Sequence, residues 1–545
     1  MREALERSRV NGFLKTEGKK IVNAAGEEIT LVGWGLGNWL LCEGYMWLAG
    51  HNNRLFDRPR TIEWILRDVT GSAYSKHFWK SFRERYVSHA DIARMGSLGY
   101  NSVRIPFNWR ILMDDEPDII SFKEEGFALL DRCIDWCEEE KLYAFLDMHG
   151  APGGQTGINI DDSYDNLPRL FIDEDYWKKA IALWQEIARR YRDRWIVGGY
   201  DLLNEPIRTV LYEYQNIDRF VPNLITFYEE VIKAIRDVDK NHILSLEGHH
   251  WSIDTTVFYK KYDDNMVIHF HRYGCPPDIN ALSEFLTVRD NLDSPLWLGE
   301  TGENNNEWYA AFYPLAFELG IGVNMWPWKK MECTNSPYSI KKPEKWEQLI
   351  AYTQGGKKPS RTEAITLLDE YLEHIALERC TENSAVTSAV FRNAPCTLRG
   401  SDFDQLPGNG LSFKSNHSEP CLYGYQRGSG MAIRLEEGKT PLEETQWDRW
   451  AIYTVVLSCG DYASYTFYDI KEGTGLILNN SVEEPASMTV TVSLDGSAPS
   501  SFEFNVRPED KKIALPVSIC KKITYTIAVK EGIITIKSLE LFYKE

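Results

Sequence analysis

The chain of 545 residues lacks any uninterrupted apolar run of about 18 residues, so no membrane-spanning helix is expected. The N-terminal stretch Met1–Val10 carries five charges and no apolar signal core, so it is not expected to act as a leader. The protein is therefore expected to be cytoplasmic, or secreted with a signal peptide lying outside this sequence. Basic charge is scarce. Lys and Arg number 61 against 80 Asp and Glu, a formal charge of −19. That balance argues against nucleic acid as a partner and favours neutral substrates. The ten cysteines form no CxxC pair. Cys133 and Cys137 stand four apart on an apolar helix face, the rest are scattered, and buried free thiols are the expected state. No HExxH or other tight ligand spacing is present, so neither a catalytic metal nor a cofactor is expected. Internal repeats and low-complexity tracts are missing as well.

What is present is a large apolar complement, 43% of residues, with 26% charged. This composition suits a globular chain of two or more domains. Aromatics reach 13%, including 18 Trp and 28 Tyr. They suit a core, and they also suit the C–H faces of sugars.

From about residue 11 to 378, strand-like runs alternate with amphipathic helices. The strand candidates are Ile29–Leu36, Ser102–Phe107, Leu142–Asp147, Gly199–Leu203, Ile243–Glu247, Met266–His271, Pro295–Gly299 and Gly322–Trp326. One helix places Trp177, Ile181, Trp184, Ala188 and Tyr191 on a stripe, and another places Leu224, Phe227, Val231 and Ile235. Eight such units predict a (β/α)8 TIM barrel over residues 1–378. The first strand is followed by a long aromatic loop from about Cys42 to Tyr86, with Tyr45, Trp47, Trp64, Tyr74, Phe78 and Trp79. An insertion of that kind tends to wall off a cleft. After Cys380 the period changes to two. Ile523, Tyr525, Ile527 and Val529 share one face, and Val490, Val492 and Leu494 alternate with polar residues. Turn signals at Leu494-Asp495-Gly496 and Lys530-Glu531-Gly532 separate such runs. An antiparallel β-sandwich is predicted over 395–545, joined by a linker at 379–394.

Two glutamates end two of the barrel runs. Glu205 closes Leu203-Asn204-Glu205-Pro206, and Glu300 closes Leu298-Gly299-Glu300. A carboxyl there projects from the catalytic rim of a parallel barrel, and a pair of carboxyls is what cleavage of a glycosidic bond requires. Asn204 offers an amide for a sugar hydroxyl. Arg104 lies inside the apolar run Val103-Arg104-Ile105 and, being costly to bury alone, demands a carboxylate partner. His149, His271 and Tyr273 stand at strand ends, suited to a pocket rim. Trp326 and Trp328 belong to the last strand, where one of them is expected to floor the pocket.

These residues together resemble glycoside hydrolase family 5. The carrying segments are Val103–Phe107, Leu146–Gly154, Leu203–Pro206, His271–Tyr273, Leu298–Glu300 and Trp326. Gly33-Trp34-Gly35-Leu36-Gly37-Asn38-Trp39-Leu40 is similar to the first strand of the exo-β-1,3-glucanase and related endoglucanase members, whose version usually reads asparagine-leucine-glycine-glycine-tryptophan. The resemblance implies a retaining O-glycosyl hydrolase with Glu205 as acid/base and Glu300 as nucleophile. It implies Arg104, His149, Asn204, His271 and Tyr273 as the supporting shell around the cleaved sugar. The C-terminal region resembles the galactose-binding-like jelly rolls of carbohydrate-binding module families 6 and 35, through Trp450–Val455, Gly460-Asp461-Tyr462 and Gly532–Leu541. The implied substrate is an oligosaccharide or glycoside, most simply a β-glucoside cleaved from a chain end. The alternatives are an endo-acting β-glucanase or cellulase, a β-mannosidase or β-xylosidase, a metal-dependent barrel hydrolase, and a non-catalytic carbohydrate-binding protein. No membrane partner is expected, and the residues leave oligomeric state open.

Overall fold

The computed structural model describes residues 2–50, 53–116, 118–208, 217–416, 424–426, 428–440, 449–495 and 497–544. All eight strand candidates fall in one closed parallel barrel. In chain order the strands are β1 (Val32–Gly35), β2 (Ser102–Asn108), β3 (Tyr143–Gly150), β4 (Val197–Asp201), β5 (Ile243–Glu247), β6 (Met266–Arg272), β7 (Leu296–Gly302) and β8 (Gly322–Trp326). β8 pairs with β1 to close the ring, with Val323 opposite Val32 and Met325 opposite Trp34. Their residues are buried on both faces, apart from half-buried Arg272, as a parallel sheet wrapped in helices requires.

The helices pack by the periodicity of their apolar residues. In the helix Glu174–Tyr191 the buried stripe is Ala180, Leu183, Trp184, Ile187, Ala188 and Tyr191. Trp177 and Ile181 sit half-buried at its edge, and the Trp177 indole N–H donates to Glu230 Oε2 at 2.8 Å. The helix Val221–Arg236 buries Leu224, Phe227, Val231 and Ile235, as its period predicts. The insertion after β1 folds into two helices, α1 (Pro59–Thr70) and α2 (Ser72–Arg85). Much of its aromatic content goes into a core of its own. Trp47 is fully buried among Phe56, Phe78, Trp79, Phe82, Trp346 and Tyr371, with ring centroids 5.0–6.3 Å away.

Two compact units emerge. The first comprises Met1–His271, Phe285–Thr301 and Gly320–Glu382. The second gathers Asn383–Glu545 together with Arg272–Glu284 and Gly302–Leu319. The second unit is thus built partly from segments that leave the barrel after β6 and β7, rather than from the C-terminal stretch alone. Its helix Asn306–Glu318 lies beside Ser384–Phe391, and the Arg392 guanidinium donates to Ala310 O. Two antiparallel sheets follow. In one, Ile533–Tyr543 runs between Tyr453–Ser458 and Thr474–Ser481. In the other, Cys520–Glu531 runs between Tyr462–Ile470 and Ala486–Leu494. Ile523, Tyr525, Ile527 and Val529 all point into the core, as their alternation predicts. Gly532 turns Cys520–Glu531 into Ile533–Tyr543 with φ 79°, while the Gly496 position lies outside the described residues. Nine cysteines are free thiols among the described residues.

Candidate active site

Arg104 sits on β2 inside the barrel with no solvent exposure. Its guanidinium is surrounded by acceptors from four other strands or their ends. Nε donates to Asp201 Oδ2 at 2.8 Å and Nη1 to Glu300 Oε2 at 2.6 Å. Nη2 reaches Asn204 Oδ1 at 2.8 Å, Glu247 Oε1 at 3.2 Å and Asp147 Oδ2 at 3.1 Å. Burial alone would strip its proton, but the carboxylates of Asp147, Asp201, Glu300 and Glu247 outweigh that and hold it firmly charged. The fork geometry of a guanidinium thus fixes groups from β3, β4, β5 and β7 around one centre.

Glu205 follows the end of β4 on a turn with φ 40°, and its backbone N–H donates to Glu247 Oε2 at 2.7 Å. Its Oε1 lies 2.7 Å from His271 Nδ1. One carboxylate oxygen of Glu205, one ring nitrogen of His271 and one carboxylate oxygen of Glu300 lie within 4.8 Å of one another. Burial pushes the Glu205 carboxyl above the ordinary range, against the bond from His271, and the negative charges of Glu300 and Glu247 push it the same way.

His271 continues into a second histidine. Its Nε2 is 3.0 Å from His269 Nε2, and His269 Nδ1 lies 2.9 Å from Ser245 Oγ and 3.1 Å from Asp201 Oδ1. An ionised Asp201 can only accept, so His269 donates through Nδ1. With that proton at Nδ1, His269 offers Nε2 as the acceptor for the His271 Nε2–H. That leaves two states for the far end: a protonated Glu205 donating to His271 Nδ1, or an ionised Glu205 accepting from a His271 cation. Burial opposes the cation, but Glu247, Glu300 and Glu205 win and raise the His271 pKa well above the usual imidazole value. Burial raises Asp201 too, but His269 and Arg104 more than reverse it.

On the other side, His149 Nδ1 lies 2.8 Å from Asp147 Oδ2. Its ring stacks on Trp326 at 5.2 Å and 5°. Its Nε2 faces Asn204 Nδ2 at 3.4 Å, an orientation of the amide consistent with Oδ1 accepting from Arg104. Burial lifts Asp147 to about 6, opposed by Arg104 and His149. Trp326 is held by Tyr45, whose hydroxyl accepts the indole N–H at 2.9 Å. Its ring occupies the space that side chains at Gly35 and Gly37 would need: a Cβ there would come within 2.5 and 2.7 Å of it. Gly299 is required for a similar reason, since a Cβ would fall 2.0 Å from His269 Nε2.

Arg104, His149, Asn204, Glu205, His271, Glu300 and Trp326 are therefore linked in one cluster. Trp328 lies apart from it. Two residues beyond β8 its ring packs on Trp34 and Tyr338, and its indole N–H donates to Asp91 Oδ1 at 3.0 Å. The chain bends after β8, which sends Trp328 into the core and leaves Trp326 as the strand-end aromatic. Tyr273 follows β6 and falls in the second unit. Asp147, Asp201, Ser245, Glu247 and His269 complete the network without having been singled out from the sequence. Asp147, Asp201, Glu247 and His269 carried the same signal as Arg104, an ionisable group inside or closing an apolar strand. Groups with metal-ligand spacing exist here, Glu205–His271–Glu300 and Glu247–His269–His271. Both ring nitrogens of His269 and of His271, Glu205 Oε1 and both oxygens of Glu247 already take part in the bonds just described, which join these residues into one hydrogen-bonded network.

Residues 67–332 match the family model Cellulase (glycosyl hydrolase family 5). A "Beta-xylosidase" of Phanerodontia chrysosporium is 36% identical over 265 residues, 48% of this chain and 52% of that protein. An "Endoglucanase C" of Acetivibrio thermocellus is 24% identical, over 47% of this chain and 88% of that one. A crystal structure of a β-glucanase of Saccharophagus degradans in complex with cellotetraose aligns at a TM-score of 0.40 and 16% identity, covering 67% of this chain and 94% of that one. The chain spans about half the length of the first of these relatives. It carries a glycosyl hydrolase family 5 domain.

Replacing Arg104 by Met is expected to cost about 3–5 kcal/mol, because four buried carboxyl groups lose their common cation. Without the cation these carboxyls favour their protonated forms, so the loss should shrink as pH falls. Calorimetric melting of wild type and variant at pH 5 and pH 8 checks this; equal losses at both would contradict it.

Proposed function

We propose that this family 5 chain is a retaining β-glycosidase acting on neutral β-linked glycosides. Glu300 attacks the anomeric carbon to form a glycosyl–enzyme intermediate. Glu205 first protonates the departing oxygen and then takes a proton from the water that releases the sugar. The observation that carries this reading is the approach of the two carboxyl groups within 4.8 Å. Direct attack needs a separation of about 5–5.5 Å, whereas an inverting pair leaves about 6.5–9.5 Å for a water.

The surroundings support the division of labour. Glu300 is bonded to the permanent cation of Arg104, which favours its ionised, attacking form. Glu205 has no arginine partner among the described residues, is pushed towards its protonated form by burial, and ends the Asp201–His269–His271 chain. That chain offers two settings of one proton, matching an acid in the first step and a base in the second. His149 and Asn204 stand beside the pair with polar groups suited to sugar hydroxyls.

Within this reading, release of a terminal glucose or xylose from short glycosides is the preferred action. In this reading the long insertion after β1 and the loop from Gly153 to Ile172 wall the rim. That loop is pinned where Asp161 accepts from the backbone N–H groups of Thr156, Gly157 and Ser163 at 2.8–2.9 Å. The name of the Phanerodontia relative points the same way, and that of the Acetivibrio relative keeps endo-action as the second reading. Hydrolysis rates on aryl β-glucosides and β-xylosides, set against a soluble β-glucan with product sizing, decide between them. Faster internal cleavage of the polymer would reject terminal action. For the C-terminal unit we propose a supporting role. The Trp450 ring is buried, stacked on Tyr453 and bonded to Gly274 O, so it is not available as a sugar platform.

Glu205→Gln should lower turnover by about 10²–10⁴-fold on glycosides with poor leaving groups, and far less on dinitrophenyl glycosides, which depart without a proton. Glu300→Gln should abolish both equally. A Glu205→Gln loss independent of the leaving group would remove Glu205 from the acid role. In a second test, Glu247→Gln keeps an oxygen for the Glu205 N–H but deletes a charge that raises both Glu205 and His271. The alkaline limb of kcat/KM should move to lower pH, and an unmoved limb contradicts the network.

A further inference from the structure

A large cavity lies within the first unit, about 1230 Å³ in volume, between α1, α2, the turn after β2 and the segment Ser163–Asn166. None of the residues of the catalytic cluster lines it. Nine Lys or Arg residues and three Glu line it, in a chain of formal charge −19. Several of these cations are fixed from behind. Arg58 is held by Asp57 at 2.9 Å, and Arg60 by Asp115 at 2.7 Å. Arg110 is paired with Asp162 and, at 3.1 Å, with Glu63.

Arg83, on α2, is held less well. It is half-buried over the Trp79 ring, and it shares Glu63 with Arg110 at the longer distance of 3.9 Å. Burial pulls its guanidinium below the ordinary range; Glu63 opposes this, and the like charge of Arg110 adds to it. A half-buried cation with one distant carboxylate partner beside an open cavity is stabilised by an anion entering that cavity. Lys76 and Lys80, one turn apart on the same helix, add positive charge at the rim. Trp64, also in the lining, stands 49% exposed on α1 and offers a flat apolar face. An alkyl chain needs a continuous apolar wall. Here Leu55, Trp64, Trp79, Ile111 and Leu129 share the lining with nine cations, which favours a ligand that carries polar groups beside an apolar face.

We propose that this cavity binds an acidic sugar, with its carboxylate or phosphate against Arg83 and Arg110 and one ring face on Trp64. The site is separate from the carboxyl pair and does not depend on the reaction proposed there. Its binding is read without turnover.

The test is calorimetric titration of the full chain with glucuronate, a glucuronate-bearing disaccharide, glucose 6-phosphate, neutral cellobiose and dodecanoate. Saturable binding of an acidic sugar is expected, weakening as salt is raised. The uronate and phosphate arms identify which anion fits. Arg83→Gln and Trp64→Ala should each weaken it about tenfold. Lys76→Gln with Lys80→Gln, exposed and harmless to folding, should weaken it and flatten the salt dependence. Melting curves confirm that each variant is folded. Absence of saturation by every acidic sugar at millimolar concentration overturns the proposal. So does equal binding of cellobiose, tighter binding of dodecanoate, or indifference to all these substitutions.

Discussion

One guanidinium organises the barrel interior. Arg104 satisfies acceptors from four other strands, and its own charge is tolerable only because those carboxylates converge on it. The dependence is mutual. Four buried carboxyl groups this close would repel one another, and a buried arginine without them would be expelled. Every distance in the catalytic cluster is set relative to that centre, including the reach from Glu300 to Glu205.

The same centre makes the two glutamates unlike. Glu300 is bonded to it, whereas Glu205 is not, and faces a histidine chain instead. Electrostatic difference therefore comes from which strand end each residue occupies and from what the neighbouring strands deliver there. Glu247 acts on both sides, accepting from Arg104 and from the Glu205 backbone. Small residues make the arrangement sterically possible. Gly299 clears the way for His269, and Gly35 and Gly37 do so for Trp326.

Burial, rather than sugar contact, absorbs much of the aromatic excess. Trp47, Trp34, Trp184 and Trp297 are core residues, and the inserted helices have an aromatic interior of their own. Trp64 is an exception on the wall of the α1–α2 cavity. Whether an aromatic side chain meets solvent depends on which face of its helix packs inward, and that is decided by partners hundreds of residues away.

By itself the sequence determined the element types and their order. Period-two and period-3.6 patterns are local, so the eight barrel strands, the change of architecture after Cys380 and the inward face of Ile523–Val529 were legible. So were the residues whose chemistry stands out against an apolar run, Glu205, Glu300, Arg104 and His149 among them. Tertiary structure alone decided which of them meet. Asp201 and His269 gain meaning only through the chain to His271, and Glu247 through the turn that brings the Glu205 N–H to it. Trp326 and Trp328 look alike in sequence, yet the bend after β8 sends one to the mouth and the other to Asp91. The second unit recruits Arg272–Glu284 and Gly302–Leu319, a choice that no local pattern records. Periodicity encodes what a segment does with its own neighbours, whereas closure of a barrel sets distances between residues that no window of sequence contains together.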